Sequence, residues 1–192
     1  MEKLDPASTA LLLLDLQKGI FGVAGGPHTA AQVVTNAAAL ARRFRQLRAT
    51  VILVRIGWSE GFPDLLRQPV DRAPPLPGAG PLPPDWMEQP AELEVAATDI
   101  QITKRQWGAF YGTELELQLR RRGIATLVLG GISTNIGVES TARTAWELGY
   151  ALVLAEDVMS GQSPENHRFS VENILPRLGR VRRTAEILAA LA

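Results

Sequence analysis

An aspartate, a lysine and a glycine-rich turn carry the chemistry this sequence could perform. Asp15 closes the apolar run Thr9-Ala-Leu-Leu-Leu-Leu14 and is followed by Leu16 and Gln17. Lys104 closes the alternating run Asp99-Ile-Gln-Ile-Thr-Lys104, and the segment after it holds Trp107, Phe110 and Tyr111. The turn lies within Leu127-Val-Leu-Gly-Gly-Ile-Ser-Thr-Asn-Ile-Gly137-Val-Glu-Ser-Thr-Ala-Arg143. That stretch is an apolar run, then small and hydroxyl residues, then helix-period residues, which reads as strand, tight turn and helix. Such a turn aims several backbone N–H groups at one point, where an anion or a polarised oxygen is welcome. Thr134 or Asn135 is expected to cap the helix through its side-chain oxygen. A carboxylate at the C-terminal end of a buried strand sits where open α/β sheets place ligands. By spacing alone Asp15 serves equally well as a turn cap or an arginine partner. By the same measure Lys104 is a solvated strand end. The three aromatics read either as a flat wall for a small ring or as core.

Several chemistries are excluded. The chain has no cysteine, so a disulfide, a thiolate metal site and a thiol nucleophile are all ruled out. Ser133, Thr134, Ser140 and Thr141 offer hydroxyls, but the motif places no histidine beside them as a base. No Gly-x-Gly-x-x-Gly follows the first strand, so a nicotinamide cofactor is not expected. With 20 basic and 20 acidic side chains and 46% hydrophobic residues, the chain reads as a soluble globular protein with no nucleic-acid partner. Leu11–Leu14 is too short to span a membrane and no signal peptide opens the chain, so a cytoplasmic location is expected.

The elements that must position these groups alternate. Thr9–Leu14 and Thr50-Val-Ile-Leu-Val-Arg-Ile56 are apolar on both faces, as central parallel strands require. Between them Phe21-Gly-Val-Ala-Gly-Gly-Pro27 reads as a mobile loop, and His28 as a surface or capping residue. Residues 29–47 show helical periodicity. Arg55 and Trp58 end the second strand and could wall a pocket. Residues 68–90, rich in proline, form an irregular and stiff excursion from the same domain. Thr113 and Glu116 match a capping box that opens a helix stopped by Gly123. A fifth strand covers 149–155 and ends in Glu156-Asp157, acids expected to pair with arginines or shape the next turn. Ser163-Pro164 opens a further helix with His167 on its solvent side. Arg180–Arg183 is a last short strand, and Thr184 caps a terminal helix. Alternating strands and helices make the fold α/β with a parallel sheet, a single domain over 1–192.

The turn, together with Asp15-Leu-Gln17 after the first strand and Lys104 with its aromatic follow-on, resembles the isochorismatase-like hydrolases, the cysteine hydrolase superfamily. The resemblance covers nearly the whole chain. It implies a three-layer, Rossmann-like sandwich around a six-stranded parallel sheet of order 3-2-1-4-5-6, with Asp15 and Gly137 across one crevice. It assigns catalysis to Asp15 and Lys104 and places Gly137 where most members carry the nucleophilic cysteine. It implies a cis peptide between Ile132 and Ser133. Gln17, Phe21, Arg55, Trp58, Trp107, Phe110, Tyr111, Ile132, Ser133, Thr134 and Ile136 are its candidate substrate contacts. One branch binds a metal after the second strand, but Gly57–Pro63 contains no histidine, so neither metal nor other cofactor is expected.

Authentic isochorismatases also have glycine at the nucleophile's position and hydrolyse a vinyl ether to release pyruvate. The resemblance therefore implies a hydrolase of a small carboxylated or cyclic molecule, with Asp15 as general acid, working as a homo-oligomer, dimer or tetramer. The alternative is a small-molecule-binding pseudoenzyme of the same fold that keeps the crevice and has lost turnover.

Overall fold

In a computed structural model that describes residues 2–72 and 81–191, six strands form one all-parallel sheet in the order β3-β2-β1-β4-β5-β6. The strands are β1 (Thr9–Leu14), β2 (Thr50–Ile56), β3 (Ile100–Lys104), β4 (Thr126–Ile132), β5 (Ala151–Ser160) and β6 (Arg180–Arg182). The expected architecture and strand order are those observed. In β1 every residue is buried, because the two faces of the sheet feed two separate apolar clusters. On one face Leu11, Leu13, Leu53 and Val153 pack against α1 (Ala30–Gln46) and α6 (Thr184–Ala190). On the other, Leu12, Leu14, Val54 and Leu129 pack with buried residues of α2 (Leu115–Arg121), α3 (Glu139–Glu147) and α5 (Leu175–Leu178). The remaining helix, α4 (Pro164–Phe169), follows β5. Period-two alternation within each strand divides its side chains between the two layers.

The helix ends follow local chemistry. Thr29 and Gln32 close a reciprocal capping box at the start of α1, and two otherwise unpaired amides are satisfied. At the other end Arg48 takes φ 56 and Ala49 N–H reaches back to Phe44 O at 2.9 Å, a left-handed cap. The capping box expected at Thr113 does not form. Its hydroxyl donates to Ala109 O at 2.6 Å and accepts from Leu115 N–H at 3.2 Å, so Glu114 becomes a cap without a side-chain bond. Ser163 caps α4 with Pro164 in the first turn, as expected.

Thr184, expected to cap the terminal helix, is its first residue, with Arg183 at the cap. Two further corrections bear on the site. β5 runs to Ser160 rather than stopping at Ala155, past a register shift against β4. The added stretch is held by the Gly25–His28 segment: Ser160 Oγ donates to Gly26 O and His28 O, and Gly26 bridges Gly161. The loop read as mobile by composition is therefore tied down, and Lys18–Val23 forms a 3-10 helix. Of the proline-rich excursion, Pro74-Pro75 and Pro77 lie outside the described residues. Its Trp86 carbonyl accepts from Gly19 N–H, so the far end of the excursion docks on that short helix. Among the described residues no helix is long and apolar enough to cross a membrane.

Candidate active site

Asp15 follows β1 with φ 56, a region seldom occupied by residues with a side chain. Its N–H donates to Val54 O at 2.8 Å and its carbonyl accepts from Gln17 N–H at 2.9 Å. Lys104 is the last residue of β3, 1% exposed, and β2 lies between its strand and that of Asp15. The long lysine chain closes the gap: Nζ lies 2.7 Å from Asp15 Oδ2 and donates to Trp107 O at 2.6 Å. The other carboxylate oxygen, Oδ1, is buried with no hydrogen-bond partner among the described residues.

The turn supplies the third side. Gly131 takes φ 142 where β4 runs closest to β1, and a Cβ there would meet Leu14 O at 2.2 Å, so only glycine fits. The Ile132–Ser133 peptide is cis, as the resemblance implies. Thr134–Val138 then makes one π turn in which Ser133 O accepts from Ile136 N–H and Val138 N–H. Neither Thr134 nor Asn135 caps it, contrary to expectation, for Ser133 occupies the cap without a side-chain bond. A Cβ on Gly137 would lie 3.2 Å from Asp15 Oδ2, 3.3 Å from Lys104 Nζ and 3.5 Å from Trp107 O. Residue 137 thus faces the ion pair directly.

Burial pushes the Asp15 carboxyl above the ordinary carboxylate range, while the charge and hydrogen bond of Lys104 pull it down. The upward direction prevails in this enclosure, because burial is the largest influence and a single ammonium serves one oxygen while the other has no partner among the described residues. A short contact to lysine would by itself suggest a plain ion pair. The unserved Oδ1 argues that this carboxyl holds a proton more readily than an ordinary surface aspartate.

A residue that sequence reasoning set aside fixes the arrangement. Thr141, fully buried on α3, donates to Gly137 O at 2.7 Å and accepts from Ala109 N–H at 3.1 Å. One hydroxyl therefore joins the turn to the segment that follows Lys104. Its position one helical turn after Gly137 is the signal, since a threonine there can bond the i−4 carbonyl.

The candidate substrate contacts divide. Phe21, Arg55, Trp58 and Ile136 are half-buried, and Ile132 and Ser133 are buried in the turn. Trp58 Nε1 donates to Arg105 O at 3.0 Å. Arg55 Nε is buried without a hydrogen-bond partner among the described residues. Trp107 and Tyr111 are 56% and 84% exposed, whereas Phe110 packs into the core beside Tyr150, so the three aromatics do not form one wall. Gln17 is buried, and its amide bonds Ile56 O, Ile56 N–H and Trp86 O, bracing β2 and the excursion. Thr134 is buried and its hydroxyl meets His167 Nδ1 at 2.8 Å.

His167 was expected on the solvent face of its helix; it is buried instead. Its Nε2 lies 3.3 Å from Glu156 Oε1, and His28 Nε2 lies 2.9 Å from the same oxygen. Arg183 Nε stands 3.4 Å from Glu156 Oε2, so the expected arginine partner is present but the histidines are closer. The hydrogen bond from His167 and the bond and charge of His28 outweigh burial and hold the Glu156 carboxyl down at about 2. Asp157 accepts from Thr184 N–H and Thr184 Oγ1, both at 2.8 Å, at the start of α6. Nothing in the spacing of these residues announces the cluster, because the partners are 128 and 11 residues apart.

Comparison with known proteins agrees with this geometry. The isochorismatase domain model matches residues 9–186. The chain is 57% identical over its whole length to the uncharacterized isochorismatase family protein YecD of Escherichia coli O157:H7, of which it covers 100%. It is 31% identical to the ureidoacrylate amidohydrolase RutB of Acinetobacter baylyi, across 90% of this chain and 79% of that one. An isochorismatase family protein of Burkholderia thailandensis superposes with a TM-score of 0.93 at 40% identity, covering 100% of this chain and 98% of the other.

Proposed function

The chain belongs to the isochorismatase family, and we propose that it is a hydrolase of small carboxylated or cyclic molecules that needs no cysteine, with Asp15 as general acid on a vinyl ether. One observation carries this reading: a buried carboxyl, short of donors among the described residues and raised in pKa, lies 3.2 Å from where a Cβ on residue 137 would stand, with Lys104 beside it. On this reading residue 137 carries no side chain between the carboxyl and the turn, so the carboxyl, and not a thiol, is the group that meets substrate.

The step balances without a covalent intermediate. The Asp15 carboxylic acid gives its proton to the terminal carbon of the enol ether. The resulting oxocarbenium ion is captured by water, and the hemiketal formed collapses to an alcohol and the keto acid pyruvate. The proton released by water returns to the Asp15 carboxylate. Lys104 positions the carboxyl and holds the carboxylate after transfer. Arg55, whose Nε has no hydrogen-bond partner among the described residues, is suited to receive a substrate carboxylate, and on this reading Trp58 and Phe21 would contribute apolar contacts. The same reading includes assembly into a homo-oligomer, for which exposed Trp146 and Phe169 offer apolar surface; a monomeric mass by light scattering would remove it.

Amide hydrolysis is the second reading, favoured by the likeness to an amidohydrolase. It meets an obstacle in the nucleophile. The chain has no cysteine, and the Thr134 hydroxyl is enclosed and committed to His167. The deciding assay offers isochorismate and a panel of small amides and follows pyruvate and ammonia. Pyruvate release that disappears in Asp15→Asn supports the proposal, and ammonia release overturns it. Neither product, with a small carboxylate still raising the melting temperature, makes the chain a binding protein.

A further inference from the structure

We propose that His28, Glu156 and His167 form a binding site for one divalent transition-metal ion of the zinc class. The proposal is independent of the chemistry assigned to Asp15. One ligand atom from each residue lies within 4.8 Å of the other two. Two of the separations are 2.9 and 3.3 Å. A tetrahedral zinc ion with bonds of about 2.0–2.1 Å holds its ligand atoms about 3.3 Å apart, so little movement is needed to enclose one. Two imidazoles and one carboxylate suit borderline ions such as zinc, and not magnesium or calcium, which prefer oxygen alone.

The surroundings fit as well. Zinc-bound histidine ordinarily engages its second ring nitrogen with a fixed partner, which sets the tautomer. His167 does this through Nδ1 and the Thr134 hydroxyl at 2.8 Å, so Nε2 can turn its lone pair to the ion. Glu156 Oε2 is buried without a hydrogen bond among the described residues, so it can coordinate also. The Arg183 guanidinium opposes a cation from 3.4 Å, but its side chain is 70% exposed and can swing into solvent. The side chains of His28 and Glu156 are 21% and 16% exposed, which gives the ion and a water ligand a way in. The ligands come from the segment after Pro27, the end of β5 and α4. An ion would therefore tie three segments together and, through Thr134, brace the turn that carries Gly137.

The full chain, stripped with a chelator and then titrated calorimetrically with zinc, tests this. One equivalent should bind and raise the melting temperature. His28→Ala, a change at a half-buried ring outside the proposed catalytic groups, should stay folded with a modestly lower metal-free melting temperature and lose at least ~30-fold in zinc affinity. Glu156→Gln should lose the zinc-dependent rise as well. The inference is overturned by absence of stoichiometric binding, by wild-type affinity in His28→Ala, or by an equal effect of magnesium.

Discussion

Two carboxylates on the same sheet, one just after β1 and one within β5, are driven in opposite directions. Asp15 is pushed up by burial, with one ammonium on one oxygen. Glu156 is held at about 2 by two imidazoles. Both are enclosed and both face cations, so charge sign alone does not separate them. What separates them is the number of hydrogen-bond donors set against the depth of burial. Each has one oxygen without a hydrogen bond among the described residues, but two imidazoles on the other oxygen fix Glu156 as an anion, suited to hold something in place. A carboxylate left short of donors can gain and lose a proton, which chemistry requires. On the proposed roles one sheet thus carries an anchoring acid and a reactive one.

The sharpest way to break that contrast is to remove the proton from the reactive side. Asp15→Asn keeps the shape and abolishes the transferable proton, and pyruvate release from isochorismate should fall about 10³-fold, the usual share of a general acid. Thermal unfolding should show the variant folded. The pH profile of the unaltered chain adds a second reading. The protonated carboxyl is the active form, so the rate should fall as pH rises through the elevated pKa of Asp15. Its stability runs the same way. The native state holds this proton above the ordinary value of 3.8, so Asp15 withdraws stability as pH rises from there to its native pKa. A rate that climbs over that range would assign Asp15 the opposite role, as a base.

Lys104→Met tests whether the ammonium is what restrains the rise. A buried carboxyl that loses the one partner it has among the described residues should cost ~3 kcal/mol in urea denaturation where Asp15 would otherwise be ionised. Protonation relieves the penalty, so the loss should be small in mild acid and grow with pH. A loss independent of pH would mean that Lys104 contributes by packing alone.

Gly137→Ala is milder. Its Cβ would come within 3.2 Å of Asp15 Oδ2 and 3.3 Å of Lys104 Nζ, closer than ordinary contact, so the pair must yield by a few tenths of an ångström. Activity should drop about 10-fold, the effect of a small misplacement at the reacting centre, with little change in melting temperature. Unchanged activity would show that substrate does not approach the carboxyl from residue 137.

The same contrast marks what the sequence made legible. Asp15 and Lys104 each end a strand-like run, where ligands of open α/β sheets gather, but spacing alone left Asp15 undecided and Lys104 a solvated strand end; the family resemblance singled them out, and the structure brings the two within 2.7 Å. The sheet order likewise followed from alternation together with family resemblance. His167 could not be placed this way. Its helix, Pro164–Phe169, is too short for a clear apolar period, and its burial depends on Thr134 and Glu156, which are polar and carry no hydrophobic signal. The length of β5 was hidden for a similar reason. Glu156-Asp157 looks like a strand end by composition, yet hydrogen bonds from Asn36 and Thr184 to Asp157, and from Ser160 to the Gly26 segment, support the continued strand. Phe110 and Tyr111 stand side by side in the sequence but go to the core and to solvent, a choice made by tertiary packing and not by residue type.

The smallest effect joins the two regions. Thr134 belongs to the turn beside Asp15, while its hydroxyl bonds the histidine of the anchoring cluster at 2.8 Å. Thr134→Val keeps the volume and the branched shape and removes only the hydroxyl. His167 Nδ1, in a ring that is 3% exposed, then has no bond from residue 134, at a cost of ~1–2 kcal/mol in chemical denaturation. If the anchoring cluster steadies the turn, pyruvate release should also fall, by about three-fold, through kcat with KM little changed. A stability loss of the expected size with full activity would show instead that the two carboxylates work independently, and that the turn is held well enough by Thr141 and its own backbone.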